Sequence, residues 1–334
     1  MQNLKIIFFF LFYILGTSVW SQDIHFSQFW DPMSFQNPSN IGNFDGSLRI
    51  SAIYRNQWNQ YGAPLQTSFA DATFKHTFKS EDHLSICVSG LQDKLDMLFF
   101  RQYRFSGTVA YNKFLSEKIN IGAGVQFGTK LTSINYSRLT FDRQWDPNTG
   151  TFEPMNPSNE TFNAENVYTP LLSAGVNANF LIKGTLNTLD IAISNINTPK
   201  DVYFQSNSTI PIKLSLNAHS YIPLSDKIII MPKTSFLYSQ KANAFFSGCL
   251  IKFKPNSINE FYSGFMLRWG IDRNSDAFTP TFGIKLNNLK IGAAVDITLS
   301  GLNQESQKGS FELSAVYIFK PAKSKLFSID CMRL

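Results

Sequence analysis

Four histidines, His25, His76, His83 and His219, are the residues best suited to hold a metal or move a proton, and their spacing gives them little to work with. None lies at helical or hairpin distance from another ligand, so a zinc site is not expected. No nucleophile elbow, catalytic triad or phosphate-cradling loop can be assembled, so neither an enzyme nor a cofactor is read from the chain. The chemistry that remains is that of charge. Arg55, Arg104, Lys213, Arg268, Asp190 and Asp296 all take the polar phase of alternating segments, where opposite charges pair across an interior or line a route through it. His219 shares that phase with Lys213 and Asn217, and reads as a polar lining residue rather than a general base.

The elements that position these charges are strands. From Ser47 to Trp58, Leu48, Ile50, Ala52 and Tyr54 fall on one face, and Arg49, Ser51, Ile53 and Arg55 on the other. A strand of about ten residues, apolar outside, polar inside and closed by an aromatic, suits a bilayer-crossing barrel. The pattern recurs along the chain. Ile119, Ile121, Ala123, Val125 and Phe127 alternate with Asn120, Gly122, Gly124, Gln126 and Gly128, and Phe311, Leu313, Ala315, Tyr317 and Phe319 form an unbroken outward face. With Asn287 and Asn288 as a two-residue turn, Ile284 opposes Ile291, Phe282 opposes Ala293, Pro280 opposes Val295 and Thr279 faces Asp296, so apolar meets apolar. Counted in this way, the chain holds about fourteen strands between Ser47 and Phe319. Connections alternate between short, as at Lys183 to Thr185, and long, as at Leu131 to Val167 and Asn195 to Pro211. The expected fold is an all-β transmembrane antiparallel barrel with an irregular N-terminal segment and a periplasmic C-terminal tail.

Lys5, the apolar run Ile6 to Leu15 and the residues Val19 and Ser21 before Gln22 have the arrangement of a cleavable export signal. The expected organisation is a signal peptide over 1–21, a plug or periplasmic segment over 22–46, a barrel over 47–319 and a basic periplasmic tail over 320–334. A net charge of +6 is scattered along the chain, which argues against a nucleic-acid groove. The 32 Phe and 12 Tyr would serve a soluble core or membrane girdles equally, and the alternation decides for the girdles. Cys87, Cys249 and Cys331 are too dispersed for a disulfide scaffold.

Residues 22–46 have no clean period, yet they carry Phe26, Phe29 and Trp30 ahead of Asn37, Pro38 and Gly42, and such rings must be buried. The mouth of the barrel and its lumen are both available. Gly122, Gly124, Gly128, Gly175, Gly264, Gly283 and Gly292 take the inward phase; they either relieve strain in the curved wall or leave room for this segment.

Several stretches resemble the PorP/SprF family of type IX secretion system membrane proteins. They are Asp23 to Phe29 in the form D-x-H-F-S-Q-F, Asn37-Pro38 before Gly42, Tyr54-Arg55-Asn56-Gln57-Trp58 followed by Gly62, Pro64 and Thr67, Gln92-Asp93-Lys94, Pro223 to Lys227, Leu286 to Lys290, and Asp296 to Leu302 reading D-I-T-L-S-G-L. Departures fall at Gln92, where the family more often has Asn, and at Cys331 to Leu334, where Cys-Pro-Arg-Phe is usual. The resemblance implies a non-enzymatic outer-membrane component of Bacteroidota. Such a component supports secretion or surface attachment of an adhesin with a type B C-terminal sorting domain, sometimes in gliding motility, and contacts periplasmic parts of the machine. It also suggests Arg55, Asn56, Gln57 and Trp58, with Gly62 and Pro64, as organisers or partner contacts at the outer rim. A passive channel or a transporter of hydrophobic substrates is the alternative for a barrel of this size.

Overall fold

The computed structural model describes residues 24–57, 64–95, 99–136, 139–153, 155–159, 166–200, 209–240, 242–256, 258–270, 275–299 and 309–320. The expected export signal, Trp58, Gly62 and the tail beyond Lys320 lie outside the described residues. Sixteen strands form among those described, fourteen of them in the wall of a closed antiparallel barrel. The wall strands are β1 (Leu48–Gln57), β2 (Leu65–Thr77), β3 (His83–Leu95), β4 (Phe100–Ser116), β5 (Ile119–Ile134), β8 (Asn166–Ile182), β9 (Thr185–Ser194), β10 (Lys213–Pro223), β11 (Ile228–Ser239), β12 (Ala242–Phe253), β13 (Asn259–Trp269), β14 (Ser275–Leu286), β15 (Leu289–Thr298) and β16 (Ser310–Phe319). Each neighbours the next, and β1 closes the ring against β16 from Leu48↔Phe319 to Gln57↔Ser310. Closure matters because a wall strand with a free edge would leave backbone groups unpaired in hydrocarbon.

Alternation drives each side chain to one side of the wall. In β16, Phe311, Leu313, Tyr317 and Phe319 stand outside, while Ser310, Glu312, Ser314, Val316 and Ile318 are buried inside. The same phase leaves Ile121, Val125 and Phe127 of β5, Leu189 and Ile191 of β9, and Phe282 of β14 exposed on the lipid side. No helix among the described residues is long and apolar enough to cross a membrane, which says nothing against strands.

The hairpin after β14 has the register read from the sequence at Ile284↔Ile291 and Phe282↔Ala293, and Asn287 takes a φ of +53° in its turn. The β8–β9 turn uses two left-handed residues, Lys183 and Gly184, as a tight hairpin of right-handed strands requires. These short turns share one end of the barrel with Leu48 and Phe319, the end opposite the long loops. Two features differ from the sequence reading. Alternation ends the third to fifth wall strands toward the long loops at Leu91, Tyr103 and Lys130. Instead β3 reaches Leu95, β4 starts at Phe100 and β5 runs to Ile134, because Asp93, Lys94, Arg101 and Gln102 break the apolar pattern while their backbones still pair. The long loop also holds its own hairpin, β6 (Trp145–Asp146) with β7 (Thr151–Phe152), too short to register as alternation.

The core is where a barrel of this width would otherwise be hollow. Phe29 and Trp30 pack with Leu186, Tyr221, Met231, Phe246 and Tyr262; Phe26 packs with Ile53, Phe69 and Leu91; Phe44 packs with Val316 and Ile318. The aromatic rings of the N-terminal segment thus anchor each of these clusters, at roughly 2 kcal/mol of burial for each ring.

Candidate functional site: the lumen and the segment inside it

The segment runs from beside the long-loop strand ends to the short-turn end. It contains a single helical turn, α1 (Met33–Gln36), and a 3-10 turn (Pro38–Gly42) in which the Ser39 amide donates to the Asn37 side chain. Three groups of buried polar contacts tie it to the wall.

The first group joins stretches far apart in sequence. Glu312 on β16 accepts the backbone N–H of Ser27 at 2.7 Å and of Gln28 at 2.9 Å, and pairs with the Arg55 guanidinium. Asp296 on β15 pairs with Arg55 at 2.8 Å and Arg268 at 3.0 Å, and accepts hydroxyls from Ser27, Thr279 and Ser310. Arg268 also donates to His25 Nε2 at 3.0 Å. Both carboxylates of this group and the Arg55 side chain are almost fully buried, so every one of these bonds substitutes for lost water.

A second group is centred on Asp31 and Asp71. Lys290 donates to Asp31 at 2.6 Å and Ser314 does so at 2.9 Å, while Arg49 bridges the Asp31 carbonyl and the Asp71 carboxylate. Ser34 of α1 donates to the other oxygen of Asp71 at 2.9 Å. The third group is a carboxylate held by amides alone. Asp190 accepts from Asn37 at 2.9 Å, Asn217 at 2.6 Å and Asn40 at 2.8 Å, and Gln36 reaches Asn217 and Ser235. At the short-turn end Lys75 donates to the Phe44 carbonyl, and Lys320 pairs with Asp45 at 2.6 Å.

Two facing glycines make room for the turn. Gly124 and Gly175 oppose each other on β5 and β8. A Cβ on Gly124 would stand 2.6 Å from the backbone carbonyl of Pro38, and one on Gly175 would strike the Asn37 side chain. Of the two uses open to inward glycines, these two serve close approach of the segment.

Of the residues singled out from sequence, Arg55, Arg268 and Asp296 meet in one network, and Asp190 stands apart in another. The Lys213 ammonium sits over the Phe35 ring at 5.2 Å, and the Arg104 guanidinium is met by the Gln102 side-chain oxygen at 2.7 Å. Asn56 points the other way from Arg55 and donates to Tyr54 Oη at 3.3 Å; Gln57 turns its oxygen to Arg55 Nε at 2.9 Å. Pro64 immediately precedes β2. His219 lines the lumen beside Tyr221, with ring centres 5.8 Å apart. Glu312, Asp31, Asp71 and Lys290 were not picked out from sequence. The inward phase of Glu312 was already visible between Phe311 and Leu313, but nothing local marks it as the acceptor for Ser27 and Gln28.

Cys87 offers a measure of how tightly the segment sits. It faces inward from β3, buried against Ile41 and Ala110. With Cys249 and Cys331 replaced by Ala, a membrane-impermeant maleimide is expected to label Cys87 roughly a hundredfold more slowly in the full chain than in one lacking residues 24–44. Equal rates would mean that the segment leaves the lumen readily.

Among curated proteins, none matches the chain by sequence. Among solved structures, the barrel is similar to a FadL homologue of Pseudomonas aeruginosa at TM-score 0.52 and 11% identity, covering 91% of this chain and 96% of that one. It is also similar to the toluene transporter TodX of Pseudomonas putida at TM-score 0.51 and 9% identity, over 84% of this chain and 91% of that one. The toluene transporter TbuX of Ralstonia pickettii gives 0.52 and 10%, with 84% of this chain and 91% of that one covered. At such identities the likeness is one of fold, that of outer-membrane barrels. The sequence itself matches the model of the type IX secretion system membrane protein PorP/SprF over residues 18–317, and the blocks H-F-S-Q-F, Y-R-N-Q-W and D-I-T-L-S-G-L contribute Ser27, Arg55 and Asp296 to one buried network; the chain belongs to the PorP/SprF family, an outer-membrane barrel of type IX secretion.

Proposed function

We propose that this barrel supports the secretion or surface attachment of a cargo protein, an adhesin bearing a type B C-terminal sorting domain, as a non-enzymatic docking component rather than a conduit. The observation that carries this reading is the occupied lumen. Polypeptide cargo needs a path wide enough for an extended chain, and the cavities beside the segment measure only about 60 Å³ each. Contact with cargo would then fall to the long loops. The hairpin of β6 and β7 offers Trp145 and Phe152 there, packed edge to face at 5.1 Å and half exposed, with an almost fully exposed Met155 three residues on in the chain. Periplasmic components of the machine would meet the short-turn end and the basic tail over 320–334, after removal of the export signal before Gln22. Gliding motility is one setting in which such attachment is used.

Affinity capture from cells tests the main claim: a surface adhesin should co-purify with the intact barrel, and its absence from a well-assembled preparation would sink the proposal. Residues 22–46 act in this reading as a plug. Deleting 24–44 should convert a closed barrel into one with a stable single-channel conductance in planar bilayers, and an unchanged conductance would count against the plug.

A second reading, passage of a small apolar molecule, draws on the hydrocarbon transporters of like fold. Uptake of such a molecule by vesicles holding this barrel and no partner would favour it. The buried ions along the segment speak for the first reading, since each would have to be uncovered for a lumenal route to open.

A further inference from the structure

Lys233 is buried in the lumen at 2% exposure, and its ammonium finds no hydrogen-bond acceptor among the described residues. It stands between two rings, 5.3 Å from the centre of Trp30 and 5.2 Å from that of Tyr221. Aromatic faces favour a cation, but they do not substitute for an anion. The neighbouring acids are already taken. Asp31 is bound by Lys290 at 2.6 Å, Glu260 by Lys252 at 3.0 Å, and both oxygens of Asp190 by amides. Lys233 is one of the residues that line a cavity of about 60 Å³. One water needs roughly 10–15 Å³ of such space, so several waters or one small organic molecule fit. Its walls are divided: Phe29, Met33 and Leu186 are apolar, whereas Lys233, His219 and Asn217 are polar, as is Asp190, whose two carboxylate oxygens are held by the Asn37, Asn40 and Asn217 amides.

We propose that this cavity binds a small organic monoanion, a short-chain carboxylate, with its charged end on Lys233 and its alkyl end against Phe29, Met33 and Leu186. One unpaired cation selects one negative charge; a dianion would bring a second charge, and no other Lys or Arg among the described residues lines this cavity to meet it. The apolar wall selects a ligand with a body rather than a bare ion. The site rests on the segment lying in the lumen, which puts Phe29, Trp30 and Met33 beside β11, and not on whether removal of the segment opens a channel.

The test uses the full chain in detergent, with Trp20, Trp58, Trp145 and Trp269 changed to Phe so that Trp30 reports. Iodide, a monoanion that quenches indole on contact, is the probe, and butyrate is the competitor, at constant ionic strength. Quenching should saturate, be relieved by butyrate but not by sulfate, and weaken at least tenfold in Lys233→Met, while quenching by neutral acrylamide stays the same. Linear quenching, indifference to butyrate or equal quenching in Lys233→Met would overturn the proposal and leave Lys233 holding water alone. Should Lys233→Met fail to assemble, the unaltered protein decides: butyrate must raise its unfolding temperature above that in equimolar sulfate, and no difference refutes the site.

Discussion

Replacing Arg55 by alanine is expected to destabilise the protein by about 3–5 kcal/mol, the cost typical of stripping one partner from a buried ion pair. Arg55 serves two carboxylates at once. After its loss Asp296 keeps Arg268 at 3.0 Å, but Glu312 keeps only the backbone amides of Ser27 and Gln28 and its hydration is not restored. The charge then sits behind a wall that water reaches poorly, and the easiest relief is for the N-terminal segment to leave. Urea unfolding in micelles should therefore show the lower midpoint together with new proteolysis within residues 24–44. The double change Arg55→Met with Glu312→Gln removes both charges while the side-chain oxygen that remains still offers the Ser27 and Gln28 amides an acceptor. It should recover much of the loss, since removing a buried pair whole is far milder than stripping one partner from it. A loss below about 1 kcal/mol in the single variant would instead mean that water bathes the network, as for an exposed pair.

Gly124→Leu should have the larger effect on the lumen itself. Already a Cβ at that position would lie 2.6 Å from the carbonyl carbon and oxygen of Pro38 and 2.7 Å from the Ser39 nitrogen, all backbone atoms in a turn that Asn37 holds from both sides. Overpacking of this kind costs about 1–3 kcal/mol when side chains can yield, and here the obstacle is main chain. The outcome expected is an intact barrel with the segment displaced: normal insertion and heat-modifiable migration, Cys87 open to maleimide, and conductance close to that of the chain lacking 24–44. Gly107→Leu is the matched control. Nothing lies within 4 Å of a Cβ at Gly107, so that change should alter stability by no more than about 0.5 kcal/mol and leave the lumen closed. Gly124→Leu with the lumen still closed would show that the segment can shift its path within the barrel.

Both experiments probe contacts that no stretch of sequence displays, although much else is legible there. Alternation assigns every wall residue a side, because successive side chains of a strand point oppositely and lipid tolerates only one kind on its face. It therefore places Arg55, Asp190 and Asp296 on the inward phase and sets the register of the hairpin around Asn287. Turn chemistry agrees with it, since Asn287 and the Lys183-Gly184 pair accept left-handed backbone. The short hairpin of β6 and β7 escapes because two residues per strand are too few to show a period.

What a period cannot convey is a partner. Family resemblance suggested Arg55 as an organiser or partner contact at the outer rim and alternation faced it inward, but neither names Asp296 and Glu312, more than 240 residues away, to which its side chain is bonded. The segment from Ile24 to Phe44 has no period at all, and its aromatic content says only that it must be buried. Residue order alone therefore dictates a closed wall with a polar inside. The identity of what fills that wall emerges only on folding, because the volume, the facing glycines and the buried charges of the lumen exist as one surface only after all fourteen strands have joined.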